Sequence, residues 1–404
     1  LQSLGISEDL HEKKMSELDE ALKVKVLLAQ ALFGNPDILL LDEPTNGLDV
    51  ATISWLEDFL ADYDRIVIVV SHDRHFLNQV CTQMCDVDFG KIKMYVGNYD
   101  FWLQSSRLAA QMRADANAKK EEKIKELNDF IARFSANASK SKQATSRKKQ
   151  LEKITLDDIK PSSRKYPFVK FESQRDLGND LLRVENVSKT IDGVKILDNI
   201  NFTIRPGEKA AILSRSDLAQ TTMMQILAGT LKPDTGTVKY GQTVITSSLP
   251  RDLDANFNNE ELSILDWLRQ YATKEQNDNT FLRGFLGKML FSGDDIQKQI
   301  KVLSGGEKVR CMLSKMMLEQ GNTLLLDDPT NHLDLESITS LNDALVSFNG
   351  SVIFTSHDHE FISTIADHLV EISDNGSIDR AETTYDEFLA HEIVRQQVAK
   401  LYEK

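Results

Sequence analysis

Cysteine is scarce in this chain, and long apolar runs are missing from it. Three cysteines among 404 residues cannot build a disulfide framework, which indicates a protein of a reducing compartment. The strongest apolar run, IVIVV at Ile66–Val70, is far shorter than the roughly 20 residues of a membrane span. The first residues also lack the apolar segment of a signal peptide. These absences predict a cytoplasmic protein with no membrane contact and no disulfide partner.

Proline, glycine and positive charge are also limited, and each limit excludes a class of protein. With 8 prolines and 19 glycines, the chain is not fibrous or of low complexity. The formal net charge is −14, so a polyanionic partner would have to meet a local basic patch. Cys81 and Cys85 are one helical turn apart in sequence, but no second cysteine pair or histidine cluster joins them. Ordinary thiols are therefore favoured over a metal site.

A long internal repeat is present. The segment DILLLDEPTNGLD, which starts at Asp37, recurs as NTLLLDDPTNHLD from Asn322. SHDRHFLNQV from Ser71 recurs as SHDHEFISTI from Ser356, with the same offset of 285 positions. Several similar segments in one register indicate duplicated domains.

The two copies differ in what precedes their shared segments. In the second copy a long stretch separates a first strand at Leu181 from an LSGGE segment around Ser304. The counterpart of that segment in the first copy, at Met15 and Ser16, lies close to the first residue. We therefore expect the chain to begin inside its first domain.

Acidic residues follow the repeated apolar segments, which predict fully buried strands of a parallel sheet. The acids are Asp42 and Glu43 in the first copy and Asp327 and Asp328 in the second. The carboxyl ends of parallel strands are where α/β folds bind ligands. There the first acid suits Mg²⁺ coordination, and the second can polarise an attacking water. A further strand ends in His72 or His357, which we expect to contact a terminal phosphate.

The second copy also predicts an anion site at the start of a helix. Ser304, Gly305, Gly306 and Glu307 precede a helix whose apolar positions begin at Val309. A serine hydroxyl and bare glycine N–H groups at a helix N-terminus favour an anion. A capped helix start would explain the serine, but it would not explain the glycine pair.

A basic segment lies between the copies. From about Leu103 to Phe134 the sequence lacks proline and glycine and has the apolar spacing of one helix face. A turn-like SANASKSKQ and a second helix through Leu151 and Ile154 would complete a helical hairpin. Its tip and second arm carry the cations Lys140, Lys142, Arg147, Lys148, Lys149 and Lys153. Such a cluster is either a solvated linker face or a contact for nucleic-acid phosphates.

Together these motifs resemble those of ATP-binding-cassette (ABC) ATPases, with the signature LSGGE, the Walker B motif LLLDEP and a switch histidine. Two cassettes, no membrane span and a basic helical linker resemble the ABC-F translational ATPases. The resemblance implies an α/β fold of P-loop NTPase-type cassettes in tandem, each a mixed sheet with a helical subdomain, joined by a helical hairpin linker. It implies ATP and Mg²⁺ as cofactors. It also implies the ribosome as partner, through rRNA or tRNA at the basic linker.

The resemblance divides the chain into four parts. Residues 1–102 would be the C-terminal half of a first cassette, and residues 103–175 the basic hairpin linker. Residues 176–392 would form the second cassette, with an antiparallel β element at Leu181 to Ile204. Residues 393–404 would be a helical tail.

The second copy departs from the family at its phosphate-binding loop. The segment SRSDLAQTT from Ser214 stands between a strand and a helix expected from Thr221, where GxxxxGK[ST] belongs. Ser214 and Ala219 replace the glycines and Gln220 replaces the lysine; only Thr221 keeps the hydroxyl that would bind Mg²⁺. With Thr222, these positions bind nucleotide in the family. We expect nucleotide binding there to be weak or absent.

In the family, each ATP lies between one cassette's P-loop and Walker B and the other cassette's signature. The first copy's signature, MSELDEALKVKV around Ser16, lacks the glycine pair, so the defects fall on one composite site. The other site would join Asp42, Glu43 and His72 to the intact signature residues 304–307. Glu43 would be its water-polarising base.

Two other functions compete with a ribosome-associated ATPase. One is a tandem ATPase subunit of a membrane transporter, which the long basic linker disfavours. The other is a non-catalytic scaffold of cassette parts, which the degraded P-loop favours.

Overall fold

A computed structural model describes residues 4–390, with the exception of several short segments. The residues left out within that range are 5, 19, 46–47, 49, 89, 135–145, 150, 152–163, 215, 258–260, 374–375 and 382–383. The chain divides into two compact units. One comprises Leu1–Phe76 with Lys165–Lys404, and the other comprises Leu77–Arg164. The predicted helical tail at residues 393–404 lies outside the described residues.

The first repeat copy forms a small parallel α/β element. Its elements in chain order are a 3₁₀ turn (Met15–Glu17), α1 (Glu20–Leu32), β1 (Ile38–Asp42), α2 (Val50–Ala61), β2 (Ile66–Val70) and the beginning of α3 (Arg74–Val80). β1 and β2 pair in parallel, with Asp42 opposite Val70. Both strands therefore end at the same edge of the sheet, which is the arrangement that a ligand site at the strand ends needs.

The second unit, Leu77–Arg164, contains a hairpin and a long helix. β3 (Gln83–Asp88) and β4 (Lys91–Val96) pair antiparallel, and α4 runs from Tyr99 to Phe134. This confirms the long helix expected before the basic cluster. Cys85 lies on β3 whereas Cys81 follows α3, so the two thiols are not on one helix face. Among the described residues, no three or more histidine, cysteine, aspartate or glutamate side chains are grouped so that they could hold a metal ion.

The second repeat copy contains the larger set of strands, which build two sheets. In chain order they are β5 (Leu182–Ile191), β6 (Val194–Ile204), β7 (Lys209–Ser214), β8 (Thr235–Tyr240), β9 (Thr246–Leu249), β10 (Thr323–Asp327), β11 (Ser351–Thr355), β12 (His368–Ser373) and β13 (Gly376–Ala381). Six of them form a mixed sheet in the order β13-β12-β7-β11-β10-β9, and three form an antiparallel sheet in the order β6-β5-β8. In the six-stranded sheet only β12 and β13 pair antiparallel. The structure therefore confirms the antiparallel element and adds β8 to it.

Helices pack against the six-stranded sheet. They are α5 (Asp217–Leu227), α6 (Ile264–Arg269), α7 (Asn279–Lys288), α8 (Gly305–Glu319), α9 (Leu335–Ser347), α10 (His359–Ile365) and α11 (Tyr385–Ala390). One apolar cluster joins α6, α7 and α8 to the sheet and includes Trp267 and Leu286. Another packs α5 against the sheet and the antiparallel strands and includes Leu325 and Ile353. This is a mixed sheet with a helical subdomain, as expected. Among the described residues no helix is long and apolar enough to cross a membrane.

The prediction that the repeated strands are fully buried is correct for one copy and wrong for the other. Every residue of β10 and β11 is buried. In β1 and β2 one face is exposed; Leu40 is 69% exposed, whereas its counterpart Leu325 is 1% exposed. The cause is the covering layer, because α5 packs over the second copy. No described helix covers the corresponding face of β1 and β2.

Candidate functional site

In the first copy the structure brings the strand-end acid and the switch histidine together. Glu43 follows β1 with a positive φ of 47°, and its N–H donates to the carbonyl of Val70 at 2.8 Å. This turn points its carboxylate at the end of β2, where Oε2 accepts from the N–H of His72 at 3.2 Å. The other oxygen, Oε1, is 3.4 Å from Nε2 of His72. Asp42, the residue before Glu43, is exposed at the same edge.

The buried Oε1 of Glu43 has no hydrogen bond from the described residues. An acceptor in that state is suited to a water or another ligand at the strand edge, because an unsatisfied buried oxygen is costly. The carboxylate is thus oriented by the backbone of His72 through one oxygen, and its other oxygen can accept a further hydrogen bond. That arrangement is what a water-polarising base needs.

The second copy repeats the backbone geometry with a shorter acid. Asp328 also has a positive φ, 52°, and its N–H donates to the carbonyl and the hydroxyl of Thr355. Asp327 accepts a hydrogen bond from the Thr355 hydroxyl at 2.8 Å. Burial raises the pKa of Asp327 and of Asp328 above the usual range of aspartate.

The phosphate-binding loop of the second copy is largely helical. The helix predicted from Thr221 begins instead at Asp217, so that prediction is wrong. The reason is local, because the side chain of Ser216 accepts from the N–H of Ala219 and caps the helix early. Gln220 is buried, and its amide lies 3.4 and 3.5 Å from the carbonyl oxygens of Ile212 and Ser214. It therefore turns inward and does not replace a phosphate-binding lysine.

The residues of this site fit a magnesium ion better than they fit phosphates. The side-chain hydroxyl oxygens of Thr221 and Thr222 are buried, and neither has a hydrogen-bond partner of normal geometry among the described residues. The Thr221 hydroxyl also acts on Asp327 to lower its pKa, so the two are neighbours. Hydroxyl and carboxylate oxygens are the hard donors that Mg²⁺ prefers. The first turn of α5, however, offers an acid, Asp217, where phosphates need glycine N–H groups and a cation.

Sequence reasoning missed a cluster of charged residues around Asp217. His357 lies with Nε2 3.3 Å from Oδ1 of Asp217, and Arg251 donates to Oδ2 at 2.9 Å. Arg251 also lies 3.7 Å from Asp328. Arg251 is the second residue after β9, which pairs in parallel with β10. Its place beyond a strand end was the available signal.

The signature segment of the second copy is a capped helix start. Ser304 caps α8, and Glu307 completes a capping box by accepting from the Ser304 N–H at 2.8 Å. The glycine pair has a packing reason that the sequence did not suggest. A Cβ on Gly305 would lie 2.9 Å from the ring of His332, and one on Gly306 would lie 2.7 Å from its carbonyl oxygen. The pair lets α8 approach this loop closely.

The other sequence-predicted residues are placed apart from these clusters. Ser16 is exposed in the 3₁₀ turn before α1. No hydrogen bond or ion pair between described residues joins Glu43 or His72 to residues 304–307, so the composite site stays a prediction. Of the basic cluster, Arg147, Lys148 and Lys149 are helical and exposed. Lys140, Lys142 and Lys153 lie outside the described residues.

The switch segments of the two copies do meet. Arg74 donates to the hydroxyl of Thr339 at 2.6 Å and lies 3.5 Å from Glu360. His75 stacks on His359 with ring centroids 4.9 Å apart. The hydrogen bond that His75 Nδ1 donates to the Glu57 carboxylate raises the pKa of His75, whereas burial lowers the pKa of His359 to about 4. The stack is therefore not a pair of like charges at neutral pH.

The chain is similar to known ATP-binding proteins over its whole length. Two family models, both described as ABC transporter, match residues 85–171 and residues 197–331. YkpA of Bacillus subtilis, an uncharacterised ABC transporter ATP-binding protein, is 60% identical over 100% of this chain and 74% of its own length. YbiT of Escherichia coli O157:H7, a probable ATP-binding protein, is 46% identical over 94% of this chain and 71% of its own length.

More distant proteins extend the likeness. ABC transporter F family member 2 of Arabidopsis thaliana is 31% identical over 94% of this chain and 56% of its own length. A solved archaeal ribosome recycling factor, aABCE1, in complex with the stalk protein aP1, has a TM-score of 0.63 at 17% identity, covering 96% of this chain and 69% of that one. At that identity the structural likeness shows the fold alone.

Proposed function

This chain belongs to the ABC-F family of ATP-binding-cassette ATPases, and we propose that it acts as an ATP-driven clamp on the ribosome or its tRNA. The proposal depends on one observation: the two repeat copies have equivalent strand ends, but their switch histidines contact different acids. In the first copy Glu43 and His72 are in contact. In the second copy the equivalent histidine contacts Asp217. One edge is therefore suited to hydrolysis and the other is not.

At the first-copy site, each residue would have a separate role in ATP hydrolysis. Glu43 would polarise the attacking water through the oxygen that lacks a hydrogen bond. His72, whose backbone N–H orients that carboxylate, would contact the terminal phosphate. Asp42 would hold Mg²⁺, which offsets the negative charge of the phosphates when bound. The signature of the other cassette would close the site through Ser304, Gly305, Gly306 and Glu307.

At the second site, hydrolysis is not expected. Gln220 turns inward, no lysine stands in the loop, and Asp328 is one methylene shorter than Glu43. A cassette of this kind would contribute to the clamp through its surface and not through turnover.

Two features support the ribosome as the partner. The ABC-F resemblance implies it, and Arg147, Lys148 and Lys149 present positive charge on an otherwise acidic protein. Ribosome-bound ABCE1 is among the structurally similar proteins, although that likeness by itself concerns the fold. A cytoplasmic location is part of the same proposal.

The test is ribosome co-sedimentation of the full-length protein carrying Glu43→Gln, with and without ATP. Glutamine can still accept from the His72 N–H, so the site should keep its shape while it loses its base. We expect ATP hydrolysis to fall by about 10²-fold or more and pelleting to become ATP-dependent. Asp328→Asn is the matched control in the other copy, and hydrolysis should be unchanged by it.

The remaining outcomes discriminate between the alternatives. Pelleting that ignores ATP would favour a scaffold that binds through the basic segment alone. Failure to pellet, together with recovery in a membrane fraction, would favour a transporter subunit. Equal losses of activity from Glu43→Gln and Asp328→Asn would contradict the assignment of one active and one silent site.

A further inference from the structure

We propose that, in the second cassette, the carboxylate of Asp217 occupies the position between His357 and Arg251 that the terminal phosphate of a nucleotide would take. The inference rests on the proposed function only in treating this strand edge as a nucleotide site. Asp217 is a positioning residue, because it contacts the switch histidine and not a substrate.

The contacts of the carboxylate are those of a bound anion. Its two oxygens point to different cations, with Oδ1 3.3 Å from Nε2 of His357 and Oδ2 accepting from Arg251 at 2.9 Å. These partners come from separate strands, since His357 follows β11 and Arg251 follows β9. One side chain thus joins two strand ends across the intervening β10.

The two repeat copies provide an internal comparison. In the first copy the switch histidine, His72, lies 3.4 Å from Glu43, the acid that follows β1. In the second copy the equivalent acid, Asp328, is shorter, and His357 pairs with Asp217 instead. The same motif therefore has a different partner in the second copy, where the loop supplies Asp217.

Both cationic groups at this edge are already paired with Asp217, and Arg251 also lies near Asp328. A terminal phosphate would therefore have to displace the Asp217 carboxylate to reach His357 and Arg251.

The protonation of His357 reports on this arrangement. Burial acts to lower its pKa, but the hydrogen bond with Asp217 and the charges of Asp328 and Asp217 outweigh burial, so the pKa is raised. The interaction with His357, followed by that with Arg251, holds the pKa of Asp217 well below its usual range. The carboxylate is therefore ionised wherever the protein is folded at ordinary pH.

The test is an NMR titration of the His357 ring in the full chain, with its signal assigned by its loss in His357→Gln. In Asp217→Asn we expect the proton affinity of His357 to fall about tenfold, as the removal of one close opposite charge implies. Inorganic phosphate should then restore the proton affinity in this variant and leave the parent protein unchanged. Asp234→Asn, which removes an exposed carboxylate paired with Lys189, is the matched control and should behave as the parent.

Each other result would overturn the proposal. An unchanged His357 in Asp217→Asn would show that the carboxylate does not hold the histidine. A fall in the proton affinity of His357 that phosphate does not reverse would show that an anion cannot replace the Asp217 carboxylate. An equal effect of phosphate on the parent protein would show that phosphate binds beside His357 even when Asp217 is present. These results are independent of ribosome binding, so they separate from a failure of the proposed function.

Discussion

At the residue scale, two equivalent strand-end acids differ in side-chain length, and the switch histidines beside them have different partners. Glu43 and Asp328 have nearly the same backbone, with φ values of 47° and 52°. The longer side chain reaches the N–H of His72, whereas His357 pairs with Asp217. A shared backbone turn can therefore be combined with different side-chain chemistry in the two copies.

Asp73, next to the first switch histidine, gives a pH prediction. Burial raises its pKa to about 7, and Asp358 and Glu57 add to the effect. Because the folded pKa exceeds the unfolded value of about 3.9, the stability contribution is fully present below pH 4 and is lost as the pH rises through 7. Asp73→Asn is neutral at every pH, and its amide oxygen can still accept from the Phe76 N–H, to which Asp73 is hydrogen-bonded.

We therefore expect the Tm of Asp73→Asn to exceed that of the parent by a margin that grows from pH 4 to pH 7 and then levels. Thermal unfolding at half-unit pH intervals measures this margin. Asp334→Asn, which alters the cap of α9 in the same way, is the control for the loss of a capping carboxylate. A margin that shrinks as the pH rises would contradict the prediction.

At the element scale, the repeat supplies a matched pair of strand positions in β1 and β10. Leu40 and Leu325 are equivalent in sequence, but Leu40 is 69% exposed and Leu325 is 1% exposed. Leu325→Ala should cost about 2–5 kcal/mol, because it opens a cavity beneath α5. Leu40→Ala should change stability by no more than about 0.5 kcal/mol in this chain. Urea unfolding of both variants compares the two costs, and equal costs would contradict the burial difference.

The sequence predicts elements better than it predicts the contacts between them. The strands and their terminal acids follow from apolar runs that end in aspartate, and they are confirmed at β1 and β10. The predicted start of α5 is wrong because a local Ser216 cap outweighs the family's loop. The position of Arg251 after a strand was readable in the sequence, but its pairing with Asp217, 34 positions away, was not, since it depends on which strands are neighbours in the sheet.

At the scale of the whole molecule, the two copies contact each other in a pattern typical of two-fold symmetry. By the repeat offset, Arg74 is equivalent to His359 and His75 to Glu360. The observed contacts join Arg74 to Glu360 and His75 to His359. Each contact thus pairs the first position of one copy with the second position of the other, as a two-fold axis requires. Arg74 is therefore part of the contact between the two copies.

The acidic net charge of the protein makes the basic segment the place to test RNA binding. The formal net charge is −14, so an RNA contact must depend on local cations. Under the proposed function, replacing Arg147, Lys148 and Lys149 by glutamine should weaken ribosome binding. It should also reduce the dependence of log affinity on log salt by about 0.7–0.9 for each phosphate that the variant no longer neutralises. Co-sedimentation at a series of KCl concentrations measures both effects.

The control for that experiment replaces three other exposed cations, Arg183, Lys195 and Lys239, on the antiparallel sheet. This variant has the same net charge as the first one. If affinity depended on total charge, both variants would weaken binding by the same amount. If the basic segment contacts RNA, only the variant at residues 147–149 changes the salt dependence. A salt dependence unaffected by either variant would remove the basic segment from the binding surface and leave the cassettes to provide it.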